Sequence, residues 1–168
     1  MRLISERDGQ NRVRWQPYAG AAAVVTAAAA IGNAATDSRS TWYQRLSKPP
    51  WQPPPWAFGA TWTPLYGSLA WSVGRAWSQA DKREHSKLAT ALAVNLSLNA
   101  AWSWLFFAAR SPRAGLAATA ALNASNLHLI RRTSRNDPCA AIGLLPYAAW
   151  CWFATALNAK IVHLNPRH

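Results

Sequence analysis

The sequence predicts an all-α membrane protein, a bundle of five transmembrane helices with a Pro/Trp-rich loop between helices 1 and 2. Three observations predict this class. Charged residues make up only 14% of the 168 residues, against roughly 25% in a typical soluble domain. They occur in clusters, and the runs between the clusters approach or exceed the ~20 residues that a helix needs to cross a bilayer. Arg and Lys flank these runs, as expected where they meet anionic lipid headgroups.

The predicted spans cover residues 15–36, 56–77, 88–109, 114–131 and 138–160 of a single domain, residues 15–163. A polar segment, 1–14, precedes the domain, and residues 164–168 form a C-terminal tail. The mean hydropathy of −0.12 is low for a membrane protein. We attribute it to Trp, Pro and Arg, which lower the value although Trp is common near headgroups and Arg lies between the spans. A soluble fold is the alternative, and the regular spacing of the runs disfavours it.

The basic residues predict an orientation and a partner. The net charge of +12 would suggest nucleic acid in a soluble chain, but here membrane lipids are the expected partner and nucleic acid is not. Eleven Lys and Arg residues fall on the side of the N-terminus and seven on the other side. The positive-inside rule therefore predicts a cytoplasmic N-terminus, with the Pro/Trp-rich loop outside. We expect a multi-pass protein of a bacterial cell membrane.

The loop between the first two spans contains five prolines between Pro49 and Pro55. Prolines lack the backbone donor and fix φ, so this segment is predicted to be an irregular, stiff loop. It presents Trp51 and Trp56 on a backbone with little freedom to lose. Two interpretations follow: a lid over a flat, apolar ligand, or aromatic side chains that gather at the membrane interface.

Along the chain, the first span is rich in small residues and ends around Gly32 and Asn33, where either a close backbone approach or simple fraying is expected. In the third span Asn95, Asn99 and Ser103 recur every four residues and share one face. Buried amides need partners. We therefore interpret Asn95 as an interhelical hydrogen-bonding residue, and leave Asn99 open between that role and a pocket role.

The fourth span carries His128, which we interpret as an interior or interfacial histidine because no other ligand stands at metal-site spacing. The fifth begins with an N-cap, Asp137, followed by Pro138 at the first helical position. No acidic residue lies inside any span, which disfavours a proton relay, and no nucleophile-base set or phosphate loop is visible. Cys139 and Cys151 are too far apart on one helix to bridge.

The pattern resembles a known family. The residues that carry the likeness are Trp42-Tyr43, Leu46, Lys48-Pro49, Trp51, Pro53-Pro54, Trp56, Trp62, Leu65-Tyr66, Asn99, Trp102, Phe106-Phe107, Pro146-Tyr147, Trp150 and Leu157-Asn158. They are similar to the signature of the tryptophan-rich sensory protein family, also called the translocator protein or peripheral benzodiazepine receptor family. The likeness covers nearly the whole chain between the first and fifth spans.

The resemblance implies a five-helix bundle, often a homodimer, with a pocket beneath the first loop and no obligatory cofactor. Its expected ligands are porphyrins such as protoporphyrin IX, other tetrapyrroles, benzodiazepine-type compounds and, in animal members, cholesterol. The family's pocket positions correspond to Gly32, Ala35, Trp51, Phe58, Gly59, Thr61, Trp62, Asn99, Trp102, Trp150, Ala154 and Leu157.

One departure concerns sterols: Ala159 and His163 replace the Tyr and Arg of the animal sterol-recognition segment, so cholesterol binding there is not expected.

Three functions compete. The first is a porphyrin-binding sensory protein involved in tetrapyrrole regulation or stress responses. The second is an enzyme that breaks down bound porphyrin in light, with Trp51 and Trp150 as candidate redox residues and no other catalytic residue assigned. The third is a transporter of tetrapyrroles or sterols, which the lack of an internal repeat disfavours.

Overall fold

The computed structural model describes residues 3–166, with side chains from Trp15 onward, so the predicted polar segment 1–14 and the tail 164–168 lie partly outside the described residues. Within that range every regular element is helical. The helices are α1 (Leu3–Ala35), α2 (Thr41–Arg45), α3 (Pro55–Gln79), α4 (Lys82–Ser103), a π-helical turn (Trp104–Ala108), α5 (Pro112–Asn136), α6 (Pro138–Gly143) and α7 (Leu145–Leu164).

The helices are longer than the predicted spans because charged residues continue them. The third span was predicted from Leu88, yet α4 begins at Lys82. Helix ends are set by caps and prolines rather than by where apolar residues stop. Pro55, Pro112 and Pro138 stand in the first turns of α3, α5 and α6.

The predicted fifth span, 138–160, is divided in the structure into α6 and α7, which meet at Leu144. Pro146 has no N–H to donate to the preceding turn, which weakens the helix at this point. At the junction, the carbonyl of Gly143 accepts a hydrogen bond from Ser68 Oγ on α3. The interruption therefore anchors the fifth segment to α3.

The long helices form a closed ring. Helix α1 packs between α3 and α4, α5 packs between α4 and α7, and α6 and α7 return to α3. At one end the ring is filled by a core that includes Leu69, Val73, Leu129, Leu144 and Tyr147, all nearly inaccessible to solvent. At the other end, beneath α2 and the proline loop, it encloses a cavity.

A hydrogen-bond network crosses the filled end. Asn95 Nδ2 donates to Asn126 Oδ1 at 2.6 Å, and Tyr147 Oη donates to Asn95 Oδ1 at 3.0 Å. Asn99 Nδ2 donates to Tyr147 Oη at 3.1 Å. The network joins α4, α5 and α7, so Asn95 makes the interhelical hydrogen bonds that its position predicted, and Asn99 makes one as well.

Gly74 marks the contact between α3 and α1. A Cβ at this position would lie 2.8 Å from Tyr18 Cα, which is backbone and cannot move aside alone. We expect Gly74→Ala to separate the two helices and lower the free energy of unfolding by about 1–3 kcal/mol. The measurement is thermal or denaturant unfolding in detergent.

Gly67→Ala is the matched control, because nothing lies within 4 Å of a Cβ there and the residue is on the same helix. A helical Gly→Ala change without a clash should stabilise by roughly 0.5–1 kcal/mol. Equal effects of the two substitutions would contradict the close packing at Gly74.

Asp137 fixes the joint between α5 and α6. Its Oδ1 accepts a hydrogen bond from the amide of Ala140 at 3.1 Å, and its Oδ2 pairs with Arg75 Nε at 2.6 Å. Burial by itself would raise the pKa of Asp137, but the Ala140 amide and the Arg75 guanidinium together hold that pKa below its ordinary value. The carboxylate thus links the start of α6 to α3.

Acidification is expected to remove this stabilisation. The folded-state pKa lies below that of the unfolded chain, which is about 4, so the contribution is complete above that pH and is lost as the pH falls through the folded value. Asp137→Asn keeps a side-chain oxygen that can accept from the Ala140 amide, but it loses the ion pair with Arg75. Wild type should unfold at a higher temperature than the variant at neutral pH and at the same temperature in strong acid. A difference that stays constant with pH would argue against the ion pair.

Candidate functional site

The candidate site is a cavity of about 650 Å³ at the open end of the ring. Specific small-molecule pockets span about 300–1,000 Å³. Residues of α1, α3, α4, α5 and α7 and of the π-helical turn line it, and Ser38 and Tyr43 close it from the loop side. Its size and position therefore suit one drug-sized or cofactor-sized molecule.

One wall is aromatic. Phe58, Trp62 and Tyr66 follow each other at four-residue spacing on α3, so their rings face the cavity together. Trp62 stacks on Tyr66 with ring centroids 5.1 Å apart, and the ring of Trp150 on α7 meets Phe58 at 6.0 Å and Trp62 at 6.5 Å, both edge to face. Such a wall offers large apolar faces in a fixed arrangement.

Small residues line other parts of the wall. Ala29, Ala30 and Gly32 on α1 and Ala154 on α7 line the cavity. Gly32 also lies against α4, where an added Cβ would be 3.4 Å from Ala100 Cα. The end of the first span therefore packs against α4, and a Cβ at position 32 would make an ordinary contact there.

Polar groups are few and most are paired. Asn99 Oδ1 accepts a hydrogen bond from Tyr66 Oη at 3.0 Å, and Trp102 Nε1 donates to Asn158 Oδ1 at 3.1 Å. By contrast, Trp150 Nε1 is buried and has no hydrogen-bond partner among the described residues. A buried donor without a partner is costly. Trp150 lines the cavity, but its Nε1 is buried within the wall.

Helix α2 covers the cavity, and aromatic contacts hold it in place. Trp42 meets Phe106 at 5.7 Å, and Tyr43 meets Phe107 at 5.3 Å. The π-helical turn supplies both phenylalanines, and short π-helical segments are common at functional sites. Burial raises the pKa of Tyr43 although Gln52 Nε2 donates to its hydroxyl, so the phenol stays neutral.

Asn165 ties the loop to the end of α7. Its Oδ1 accepts from the amide of Ser47 at 3.0 Å, and its Nδ2 donates to the carbonyl of Ser47 at 2.9 Å and to that of Ile161 at 2.7 Å. The same loop thus has one polar attachment to α7 and one aromatic attachment to the π-helical turn.

The structure brings together nine of the predicted site residues on the cavity wall, namely Gly32, Phe58, Gly59, Trp62, Asn99, Trp102, Trp150, Ala154 and Leu157. Three others do not line it. Ala35 lies at the end of α1, Thr61 turns its hydroxyl to the carbonyl of Ala57 at 2.7 Å, and Trp51 is 47% exposed. The expectation that Trp51 covers the ligand directly is therefore corrected: its ring rests on Phe153, 5.8 Å away.

Sequence reasoning missed several wall residues. Tyr43 and Tyr66 stood in the recognised signature but were not assigned to the pocket, although Tyr66 follows Phe58 and Trp62 at helical spacing. Phe106 and Phe107 were also in the signature and were not assigned, although they follow Trp102 and Ser103 at four-residue spacing. Within the described residues no group of three or more His, Cys, Asp or Glu could hold a metal ion.

Together, the helical ring and the aromatic cavity define a class of protein: an all-helical membrane protein with an internal, largely apolar cavity. Three described segments are long and apolar enough to cross a membrane, Trp15–Ala35, Lys82–Ala108 and Pro138–Leu164. The sequence pattern of the TspO/MBR family matches residues 21–164. The chain belongs to the TspO/MBR family of integral membrane proteins.

Relatives from three organisms support membership of this family. A tryptophan-rich protein TspO from Archaeoglobus fulgidus is 36% identical over 147 residues, which cover 85% of this chain and 95% of the relative. A tryptophan-rich sensory protein from Cereibacter sphaeroides is 30% identical, covering 74% and 77%. The translocator protein of Ovis aries is 34% identical, covering 71% and 72%.

Proposed function

We propose that five segments cross the membrane, with α3 and α5 joining the three apolar ones. The support is that each long helix carries large apolar side chains that are exposed on the outside of the ring: Val24, Ile31, Trp56, Trp71, Val94, Leu127, Ile142 and Trp152. A soluble monomer rarely exposes apolar side chains on so many sides. The basic residues favour a cytoplasmic N-terminus in a bacterial cell membrane, with α2 and the loop outside.

Within this bundle, we propose that the chain is a binding and sensory protein for porphyrins, with protoporphyrin IX as the representative ligand. The observation that carries the proposal is the cavity of about 650 Å³, whose wall combines large aromatic faces with small residues. A porphyrin is flat, apolar over its faces and polar at its carboxylates. It would lie against Trp62 and Ala154, and a turn of the Trp150 ring would bring its unpaired Nε1 to one of the polar atoms of the ligand.

A sensory role fits the way the cavity is covered. Tyr43 both lines the cavity and contacts Phe107, so a ligand that displaces Tyr43 would also disturb α2. The attachment through Asn165 would carry that change to the end of α7.

Benzodiazepine-type ligands are flat and apolar like the porphyrin, and we expect them to compete with it. A homodimer through the exposed small residues Ala89, Ala93 and Ser97 of α4 is part of the proposal.

Titration of the detergent-purified protein with protoporphyrin IX tests this function. We expect saturable quenching of tryptophan fluorescence in the dark. Trp150→Phe keeps the ring but removes the N–H, and it should weaken binding by roughly 3–10-fold, the value of one hydrogen bond. Trp152→Phe is the control, since Trp152 is 63% exposed on the same helix. If both variants bind as wild type does, the indole N–H has no role in ligand binding.

The second candidate, light-dependent breakdown of bound porphyrin, is favoured by one observation. The ring of Phe153 lies 5.0 Å from that of Trp150 and 5.8 Å from that of Trp51, so a chain of aromatic rings runs from the cavity to the surface. Illumination of the same complex decides between the two candidates. A new absorption band that requires protein and light would support the enzyme, and photobleaching equal to that of free porphyrin would exclude it.

A further inference from the structure

A second recess lies outside the ring, between α4 and α5, away from the cavity. It has a volume of about 530 Å³ and is a groove rather than an enclosed space. Residues on its two sides recur at helical spacing, Ser86, Thr90, Val94 and Leu98 on α4 opposite Arg132, His128, Ser125 and Ala121 on α5. The groove therefore runs along the two helices, and from Lys87 to Leu98 it measures roughly 16 Å at 1.5 Å per residue.

The character of the groove changes along its length. Lys87, Arg132 and His128 line one end, Thr90 and Ser125 follow, and Val94, Leu98 and Ala121 line the other end. The order of basic, polar and apolar side chains along the groove matches the order of phosphate, ester and acyl chain in a phospholipid. Thr90 Oγ1 donates to the carbonyl of Ser86 at 2.9 Å, and Ser125 Oγ accepts from Asn95 Nδ2 at 3.3 Å, which leaves the Ser125 hydroxyl proton free for a ligand.

The basic end keeps an excess of positive charge. Glu84 Oε1 accepts from Lys87 Nζ at 2.6 Å, and Glu84 Oε2 lies 3.6 Å from Arg132 Nη1. One carboxylate thus serves two cations.

From this charge pattern we propose that the α4–α5 groove is a binding site for one anionic phospholipid, whose phosphate lies between Lys87 and Arg132 and whose acyl chain follows Val94 and Leu98. Basic pockets between transmembrane helices are suited to anionic headgroups. The site rests on the membrane placement proposed above, but it is independent of the ligand in the cavity. The carbonyl esters of the lipid would meet Thr90 and Ser125.

The test is native mass spectrometry of the detergent-purified protein with dioleoylphosphatidylglycerol, dioleoylphosphatidylcholine or inorganic phosphate. We expect one phosphatidylglycerol to bind roughly tenfold more tightly than phosphatidylcholine. Lys87→Gln/Arg132→Gln should remove this preference. Arg39→Gln/Lys160→Gln, which removes equal charge from exposed positions outside the groove, should retain it.

A second variant tests the apolar end of the groove without changing the charge at its basic end. Ala121→Phe fills the apolar end, where Ala121 is exposed, and leaves the basic residues intact. It should reduce binding of phosphatidylglycerol as well. Equal binding of the two lipids, an unchanged preference in Lys87→Gln/Arg132→Gln, or full displacement by inorganic phosphate would overturn the proposal. Protoporphyrin binding should be unchanged in all these variants, so failure here is distinct from failure of the cavity.

Discussion

Ala154→Phe is expected to weaken protoporphyrin IX binding on the order of 100-fold, equivalent to about 2.7 kcal/mol. Ala154 lies on α7 on the cavity wall, one helical turn from Trp150. A phenyl ring there would occupy the space that the porphyrin needs, and the rings of Trp62 and Trp150 are fixed by their mutual contact and cannot withdraw. The measurement is the quenching titration described above, in the dark.

Ala156→Phe provides the control, because Ala156 is exposed on the opposite side of the same helix. It adds the same ring but leaves the cavity open, so binding should match wild type. The two variants should also unfold at similar temperatures, since both rings find space without displacing the core. Unchanged binding in Ala154→Phe would place the porphyrin outside the cavity.

Asn95→Leu is expected to cost about 2–3 kcal/mol of unfolding free energy, although single interhelical hydrogen bonds in membranes average only about 0.6 kcal/mol. Leucine has a similar volume, so the loss is not one of packing. Asn95 is fully buried and bonds to both Tyr147 Oη and Asn126 Oδ1. Its removal leaves groups on α5 and α7 without their partner in a dry interior, where each unpaired group costs about 1–3 kcal/mol.

Denaturant unfolding in detergent measures this loss, and Asn33→Leu, at an exposed position on α1, is the control that should change stability little. A double-mutant cycle with Tyr147→Phe isolates the shared hydrogen bond. The double variant should lose less than the sum of the single variants, because each removes the same bond. Strict additivity would show that Asn95 and Tyr147 act independently.

Part of the site was predictable because it depends on helical periodicity. Asn95, Asn99 and Ser103 share one face at four-residue spacing, and all three are buried. Trp150, Ala154 and Leu157, at helical spacings of four and three residues, also lie together on the cavity wall. Phe106 and Phe107 follow Trp102 and Ser103 at four-residue spacing, so the same periodicity could have assigned them to the site.

The proline loop between α2 and α3 shows a second limit of prediction from the sequence. Its prolines correctly predicted an irregular segment between Leu46 and Pro54. They could not predict which rings reach the cavity, because this depends on contacts with residues far along the chain. Trp51 rests on Phe153 outside the wall, while Tyr43 on α2 closes the cavity instead. The hydrogen bonds between Ser47 and Asn165 join residues separated by 118 positions.

The sequence by itself determined the helical class, the family and the faces of the helices, because apolar runs, prolines and four-residue spacing act over neighbouring residues. Only the tertiary structure decided that α1, α3, α4, α5 and α7 close a ring around a cavity, that Trp150 Nε1 has no partner within the described residues, and that Lys87 and Arg132 share one groove. These features arise from distant segments that pack together, and the pattern along one segment does not encode the distance to another.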